Sequence, residues 1–154
     1  MSEKALQRIA ENIKTKNAAL DLSDCGFTTL PSELSECVWL TELNLNWYEE
    51  LQDLSALTAL ANLQQLSFWG TQVADLSPLA ALTSLQQLVF FGTQVADLSP
   101  LAALTSLQHL DCSRTQVADL SPLAALISLQ ELVCYGIQVA DLSPLAASRR
   151  NSSL

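Results

Sequence analysis

Residues 83–104 read TSLQQLVFFGTQVADLSPLAAL, and the reading of this stretch decides the fold. The same phrase stands before it as ANLQQLSFWGTQVADLSPLAAL from Ala61. It follows as TSLQHLDCSRTQVADLSPLAAL from Thr105 and ISLQELVCYGIQVADLSPLAAS from Ile127. A fixed period of this length predicts a stacked solenoid, in which each repeat buries its apolar side against its neighbours. Within one copy, period-two alternation sends Leu88 and Phe90 inward and Gln87, Val89 and Phe91 outward. In DLSPLAAL, Ser77 before Pro78 reads as a helix start, with Ser as the cap and Pro at the first helical position. Leu76, Leu79 and Leu82 then fill the core from the opposite side.

Moving outward, residues 17–60 carry the repeat in degenerate form, as AALDLSDCGFTTLPSEL and WLTELNLNWYEELQDLSALTAL. Each of these coils is one residue longer than the later ones. Leu20 with Leu22, and Leu43 with Leu45, keep the alternation of a half-buried strand. In residues 1–16, Leu6, Ile9, Ala10 and Ile13 fall at helical spacing among charged residues, which predicts a short amphipathic helix. That helix is placed to cover the first coil, as a solenoid end requires. Four regular repeats occupy 61–148. Residues 149–154 offer no apolar cover, so a disordered tail and an uncapped last coil are expected within one domain, 1–154.

A net charge of −9, from 16 acidic and 7 basic side chains, argues against nucleic acid as a partner. The apolar fraction is 49% but is dominated by regularly spaced Leu, and no run approaches the roughly 18 residues of a membrane span. The first residues lack the apolar core of a signal peptide, so the expected location is the cytoplasm, away from membranes. Cys25, Cys37, Cys112 and Cys134 lack CxxC spacing. Cys112 and Cys134 stack one repeat apart, at a separation of about 5 Å that alone would permit a disulfide. Their parallel side chains and a reducing compartment favour buried thiols instead.

In LQQLVFFGTQV, the residues Leu85, Leu88, Phe90 and Val95 recur at the spacing LxxLxLxxTxV. This resembles the leucine-rich-repeat family, with Thr93 where the family usually has Asn. The resemblance covers nearly the whole chain. The repeat length and DLSPLAAL look most like bacterial internalin-type repeats and the related phosphatase-regulator type. AALDLSDCGFTTLPSEL looks like the repeat segment of bacterial Roco signalling proteins. The resemblance implies an α/β solenoid: a right-handed curved stack with a parallel concave β-sheet, short helical or 3₁₀ turns on the convex side, and recognition as its function. The family's Asn column, a ladder of bonds to backbone, here reads Cys25, Tyr48, Thr71, Thr93, Thr115 and Ile137. Thr supplies one donor where Asn supplies two, and Ile137 supplies none.

Because the regular repeats are near-copies, their differences locate the variable face. DLSPLAA does not vary, whereas three columns expected to face outward do: Gln65, Gln87, His109, Glu131; Ser67, Val89, Asp111, Val133; and Trp69, Phe91, Ser113, Tyr135. The inward column Phe68, Phe90, Cys112, Cys134 also changes, as a core that repacks between coils. Trp69, Phe91 and Tyr135 form an aromatic stripe, interrupted at Ser113, with Val89 and Val133 beside it. Asn46 and Trp47 extend it toward the N-terminus. Exposed aromatics in a patch serve as interface anchors, although packing on one another to stabilise the sheet is the competing explanation. His109, Asp111 and Arg114 read as a polar break that sets specificity, and Glu131 completes the candidate partner-binding set.

HLDCSR, residues 109–114, is the one stretch where catalytic-looking residues gather, and alternation argues against an enzyme. Cys112 faces the core while His109 and Asp111 face out. About 13 Å of strand separates Ser113 from His109, with the carboxylate between them, whereas a triad needs His in the middle. Asp53, Asp75, Asp97, Asp119 and Asp141 recur once per coil, but the glycine-rich nonapeptide of a calcium solenoid is absent. Hydrogen bonds to backbone amides of the next turn account for them. The Gln column, Gln72, Gln94, Gln116 and Gln138, is expected to be solvated. No metal, cofactor or phosphate-binding GxxxxGK[ST] loop is indicated. The reading is a non-enzymatic module that binds a protein through its concave face. The alternatives are a regulatory segment of a larger Roco-like protein and a homodimer formed through an uncapped C-terminal coil.

Overall fold

The computed structural model describes residues 2–139, 141–145 and 151–153, the last three as backbone. Seven strands form one parallel sheet in sequence order: β1 (Ala19–Asp21), β2 (Glu42–Asn44), β3 (Gln65–Ser67), β4 (Gln87–Val89), β5 (His109–Asp111), β6 (Glu131–Val133) and β7 (Asn151–Ser153). Register follows the repeat, with Leu20, Leu43, Leu66, Leu88, Leu110 and Leu132 paired in one row. Opposite the sheet, short 3₁₀ turns such as Ser77–Leu79 and Ser99–Leu101 carry the chain back. Each strand touches only the strands before and after it, so the stack is held by nearest-neighbour packing.

The central residue of each strand through β6 is buried, as are the second inward column, Leu22, Leu45, Phe68, Phe90, Cys112 and Cys134, and the Leu of the 3₁₀ turns up to Leu123. Phe68 and Phe90 stack inside with ring centroids 5.7 Å apart. All four cysteines are buried free thiols. Burial, with Cys134 alongside, pushes the Cys112 thiol up to about 12, so it stays protonated at neutral pH.

Every Asp of the repeating column accepts a bond at 2.8 Å from the amide two residues on, at Ser55, Ser77, Ser99, Ser121 and Ser143. The expected cap at Ser77 is therefore displaced by one step. The Ser77 hydroxyl makes no capping bond and donates instead to Asp75, whose carboxylate organises the turn. The Gln column is exposed at all four positions.

The helix α1 (Glu3–Thr15) lies against β1 and the 3₁₀ turn Ser32–Glu36, in the capping position the sequence suggests. Its face differs from the expected one: Ala5, Ile9 and Asn12 are buried, whereas Ala10 is exposed. The rotation has a polar cause. Asn12 Nδ2 donates to the Asn17 and Ala19 carbonyls at 3.0 and 3.3 Å, and its Oδ1 accepts from the Trp39 indole at 2.9 Å. Arg8 Nη1 donates to the Asp21 carbonyl at 2.8 Å. The helix thus supplies side-chain partners to the outer carbonyls of β1, which blunts an otherwise open sheet edge.

At the other end, the expected disordered tail is corrected in part: the backbone of Asn151–Ser153 pairs with β6, while residues 149, 150 and 154 of that tail lie outside the described residues. Leu142, whose equivalents in the preceding coils are about 1% exposed, is 41% exposed.

Candidate binding face

The three columns the sequence singles out lie on the outer face of the sheet, all exposed or half-exposed except Ser113, and their side chains are more interlocked than alternation suggests. Trp47 and Trp69 meet edge to face with centroids 4.1 Å apart, and Trp69 meets Phe91 at 6.2 Å. Trp69 and Phe91 are therefore half-buried, not free in solvent, whereas Tyr135 and Trp47 are 40% and 56% exposed.

The interruption at Ser113 is also corrected. Strands two apart in a sheet lie about 9–10 Å from each other. The rings of Phe91 and Tyr135 nevertheless approach to 6.2 Å, leaning together across the intervening coil. Ser113, expected to face solvent, is fully buried, and its hydroxyl has no hydrogen-bond partner. Arg114 completes the cover, with its guanidinium carbon 5.4 Å from the Phe91 centroid and 5.8 Å from that of Tyr135.

The residue after the aromatic column has a left-handed backbone in every coil: Asp24, Trp47, Gly70, Gly92, Arg114 and Gly136. This column places Trp47. It belongs in register with the glycines, not with Trp69, and Asn46 holds the aromatic position. Asn46 is turned along the stack, its Oδ1 accepting from the Ser67 hydroxyl and the Trp69 amide. Trp47 lies over Gly70 as Arg114 lies over Gly136: a Cβ on either glycine would meet the Trp47 ring at 3.5 Å or the Arg114 side chain at 3.2 Å. Sequence reasoning missed this pairing, although aligning the WG, FG, SR, YG and NW steps of successive coils shows it.

The polar residues are tied to the frame. His109 Nδ1 lies 2.9 Å from Glu131 Oε2, and Asp111 accepts from the Ser113 amide at 3.0 Å. His109 thus meets a carboxylate across the strands instead of Ser113 or Cys112, and HLDCSR assembles no nucleophile–base pair. Val89 and Val133 flank Asp111 in register, half-exposed. Toward the N-terminus, a shallow groove of about 280 Å³ is lined by Asp21, Glu42, Asn44, Asn46, Gln65 and Gln87, among others. Among the described residues, no three His, Cys, Asp or Glu side chains gather as metal ligands. No helix there is long and apolar enough to cross a membrane.

In place of the family's Asn, Thr71 and Thr115 donate to the carbonyls of Phe68 and Cys112. The buried Thr93 hydroxyl has no partner, and the Tyr48 hydroxyl accepts from the Cys25 amide at 3.0 Å. A family model for leucine-rich repeats, two copies, matches residues 105–147, the stretch in which this ladder runs through Thr115.

Residues 105–147 are leucine-rich repeats, and the solenoid that contains them has an internalin-like fold.

This leucine-rich-repeat solenoid is similar to an internalin, InlF, from Listeria monocytogenes. The TM-score is 0.79 at 25% identity, covering 98% of this chain and 55% of that one. It is also similar in fold to internalin C2 of the same organism, with a TM-score of 0.70 at 24% identity, covering 98% of this chain and 82% of that one. The chain therefore spans little more than half the length of InlF. No curated protein matches it in sequence.

Proposed function

We propose that this chain is a non-enzymatic protein-interaction module whose partner docks on the sheet face along the ring ladder from Trp47 to Tyr135. Leucine-rich-repeat solenoids offer an extended face of this kind for binding. The observation that carries the reading is the coincidence of variation with exposure. In the four regular repeats DLSPLAA is invariant. Apart from the buried column Phe68, Phe90, Cys112 and Cys134 and the buried Ser113, most of the differing residues collect on the sheet face beside two exposed aromatics, Trp47 and Tyr135. Ring packing explains the contacts among the aromatics but not why Trp47 keeps more than half its surface in water. Four buried free thiols support the cytoplasm as its location.

The test uses Val89→Lys/Val133→Lys, which changes the chemistry of the face at two half-exposed positions beside Asp111 and leaves the core untouched. A protein captured by the wild type and lost by this variant, with melting unchanged, supports the reading. Capture that survives the substitutions contradicts it.

A second reading, self-association through the last coil, is favoured by the exposure of Leu142. Light scattering over a range of concentrations tests it: a constant monomer mass removes it, and a mass that rises to a dimer brings it forward.

A further inference from the structure

The ring ladder has two ends, and they differ in charge. At the C-terminal end Arg114, from the chain itself, lies over the rings of Phe91 and Tyr135. At the N-terminal end Trp47 and Trp69 form a closer pair, at 4.1 Å against 6.2 Å for Phe91 and Tyr135, but glycines stand at the Arg114 position in the two coils between, at Gly70 and Gly92. The exposed Trp47 instead borders a hollow of about 360 Å³ whose other walls include Glu49 and Glu50. The same two carboxylates line an adjoining hollow with Asp53, and neither hollow nor the neighbouring groove has a Lys or Arg in its lining. Among the described residues the one close contact between a basic and an acidic side chain is His109 with Glu131, so Glu49 and Glu50 have no cationic partner among them.

We propose that this end of the face receives a partner's arginine, its guanidinium stacked on Trp47 and its charge met by Glu49 and Glu50. The proposal rests on the reading of the sheet face as the docking surface and adds the partner's chemistry. Three features select arginine. An indole is the strongest cation–π acceptor among side chains, and a planar guanidinium stacks on it where an ammonium does not. Two unpaired carboxylates beside the ring complement the charge, and the net charge of −9 attracts a basic segment from a distance. The third is internal: Arg114 on its two rings shows the same ladder accommodating a guanidinium.

The test is titration of the full chain with a hexa-arginine peptide and its hexa-citrulline counterpart, which keeps shape and loses charge, followed by Trp fluorescence at low salt. Three variants accompany the wild type. Glu49→Gln/Glu50→Gln removes the carboxylates. Trp47→Gly inserts the residue that Gly70, Gly92 and Gly136 already place in this conformation, so folding is retained. Glu33→Gln/Glu36→Gln removes the same charge from the convex side. The arginine peptide binds the wild type and weakens roughly five- to tenfold in each of the first two variants, from the loss of cation–π and ion-pair contacts. It stays within about twofold in the third variant, and the citrulline peptide does not bind. Equal weakening in the convex variant would mean bulk attraction and overturn the proposal, as would an affinity indifferent to Trp47 or no binding of the arginine peptide. A protein partner lost by Val89→Lys/Val133→Lys but retained by Glu49→Gln/Glu50→Gln would remove this proposal and leave the docking surface standing.

Discussion

The rings of Phe91 and Tyr135, carried by coils on either side of Ser113, close to a centroid distance of 6.2 Å and bury that serine completely. A buried hydroxyl without a partner costs stability, whereas replacing it with a methyl removes the cost. Ser113→Ala is therefore expected to leave stability unchanged or raise it by up to about 1 kcal/mol in urea unfolding. A loss of more than about 1 kcal/mol would mean that the hydroxyl has a partner.

Arg114 occupies a left-handed backbone at φ 50, where Gly70, Gly92 and Gly136 have φ near 70. For a residue with a Cβ this conformation costs about 1–2 kcal/mol, while the guanidinium recovers about 0.5–1 kcal/mol over the rings. Arg114→Gly relieves the first and loses the second, and should be neutral to stabilising by up to about 1.5 kcal/mol. Arg114→Ala keeps the backbone cost and loses the ring contact, and should destabilise by about 1 kcal/mol relative to wild type. The difference between these two variants, measured in one denaturant series, separates backbone strain from ring packing.

How far the sequence carries can be judged from particular residues. Leu20 through Leu132 and the Phe68–Cys134 column were legible because a solenoid repeats its core at the repeat period, and alternation alone assigns the inward side. The Asp column was legible because Asp reliably accepts from the amide two residues on. Ser113 was not, since alternation gives the direction of a Cβ but not the lean of rings from neighbouring coils. Trp47 was misplaced because its coil has an extra residue and a bulky residue is uncommon at positive φ. Asn12 was passed over because a helix face is read from its apolar residues, and here an amide supplies the central contacts.

Asn12 is the polar centre of the cap, serving two backbone carbonyls and the Trp39 indole. Asn12→Ala leaves these groups without that partner next to the first coil, and an expected loss of about 2–4 kcal/mol follows. Because coils interact only with neighbours, the loss should concentrate at the N-terminal end. Hydrogen exchange checks this: β1 and β2 amides lose protection first, while those of β5 are nearly unchanged.

Acid should loosen the turns. Bonds from the serine backbone amide, followed by the serine hydroxyl, hold Asp75, Asp97 and Asp119 below the ordinary aspartate range, and at Asp141 the Ser143 hydroxyl is the larger cause. A depressed native pKa contributes stability that is present above the unfolded value and is lost as pH falls through the native one. The urea midpoint is expected to be flat from pH 7 to 5 and to fall below about pH 4. Asp97→Asn should lower the plateau and make the acid slope shallower, and an unchanged slope would count against the role of this carboxylate.

The measurement that bears most directly on the sheet face as the docking surface is partner capture by the wild type and Val89→Lys/Val133→Lys, with both melting curves recorded. Trp69→Ala/Phe91→Ala is the less useful probe, since these half-buried rings support each other and their loss would disturb stability as well as binding. The expected result is an unchanged melting curve and a partner recovered with the wild type alone. Recovery of the same partner in equal amount with both proteins would contradict the account.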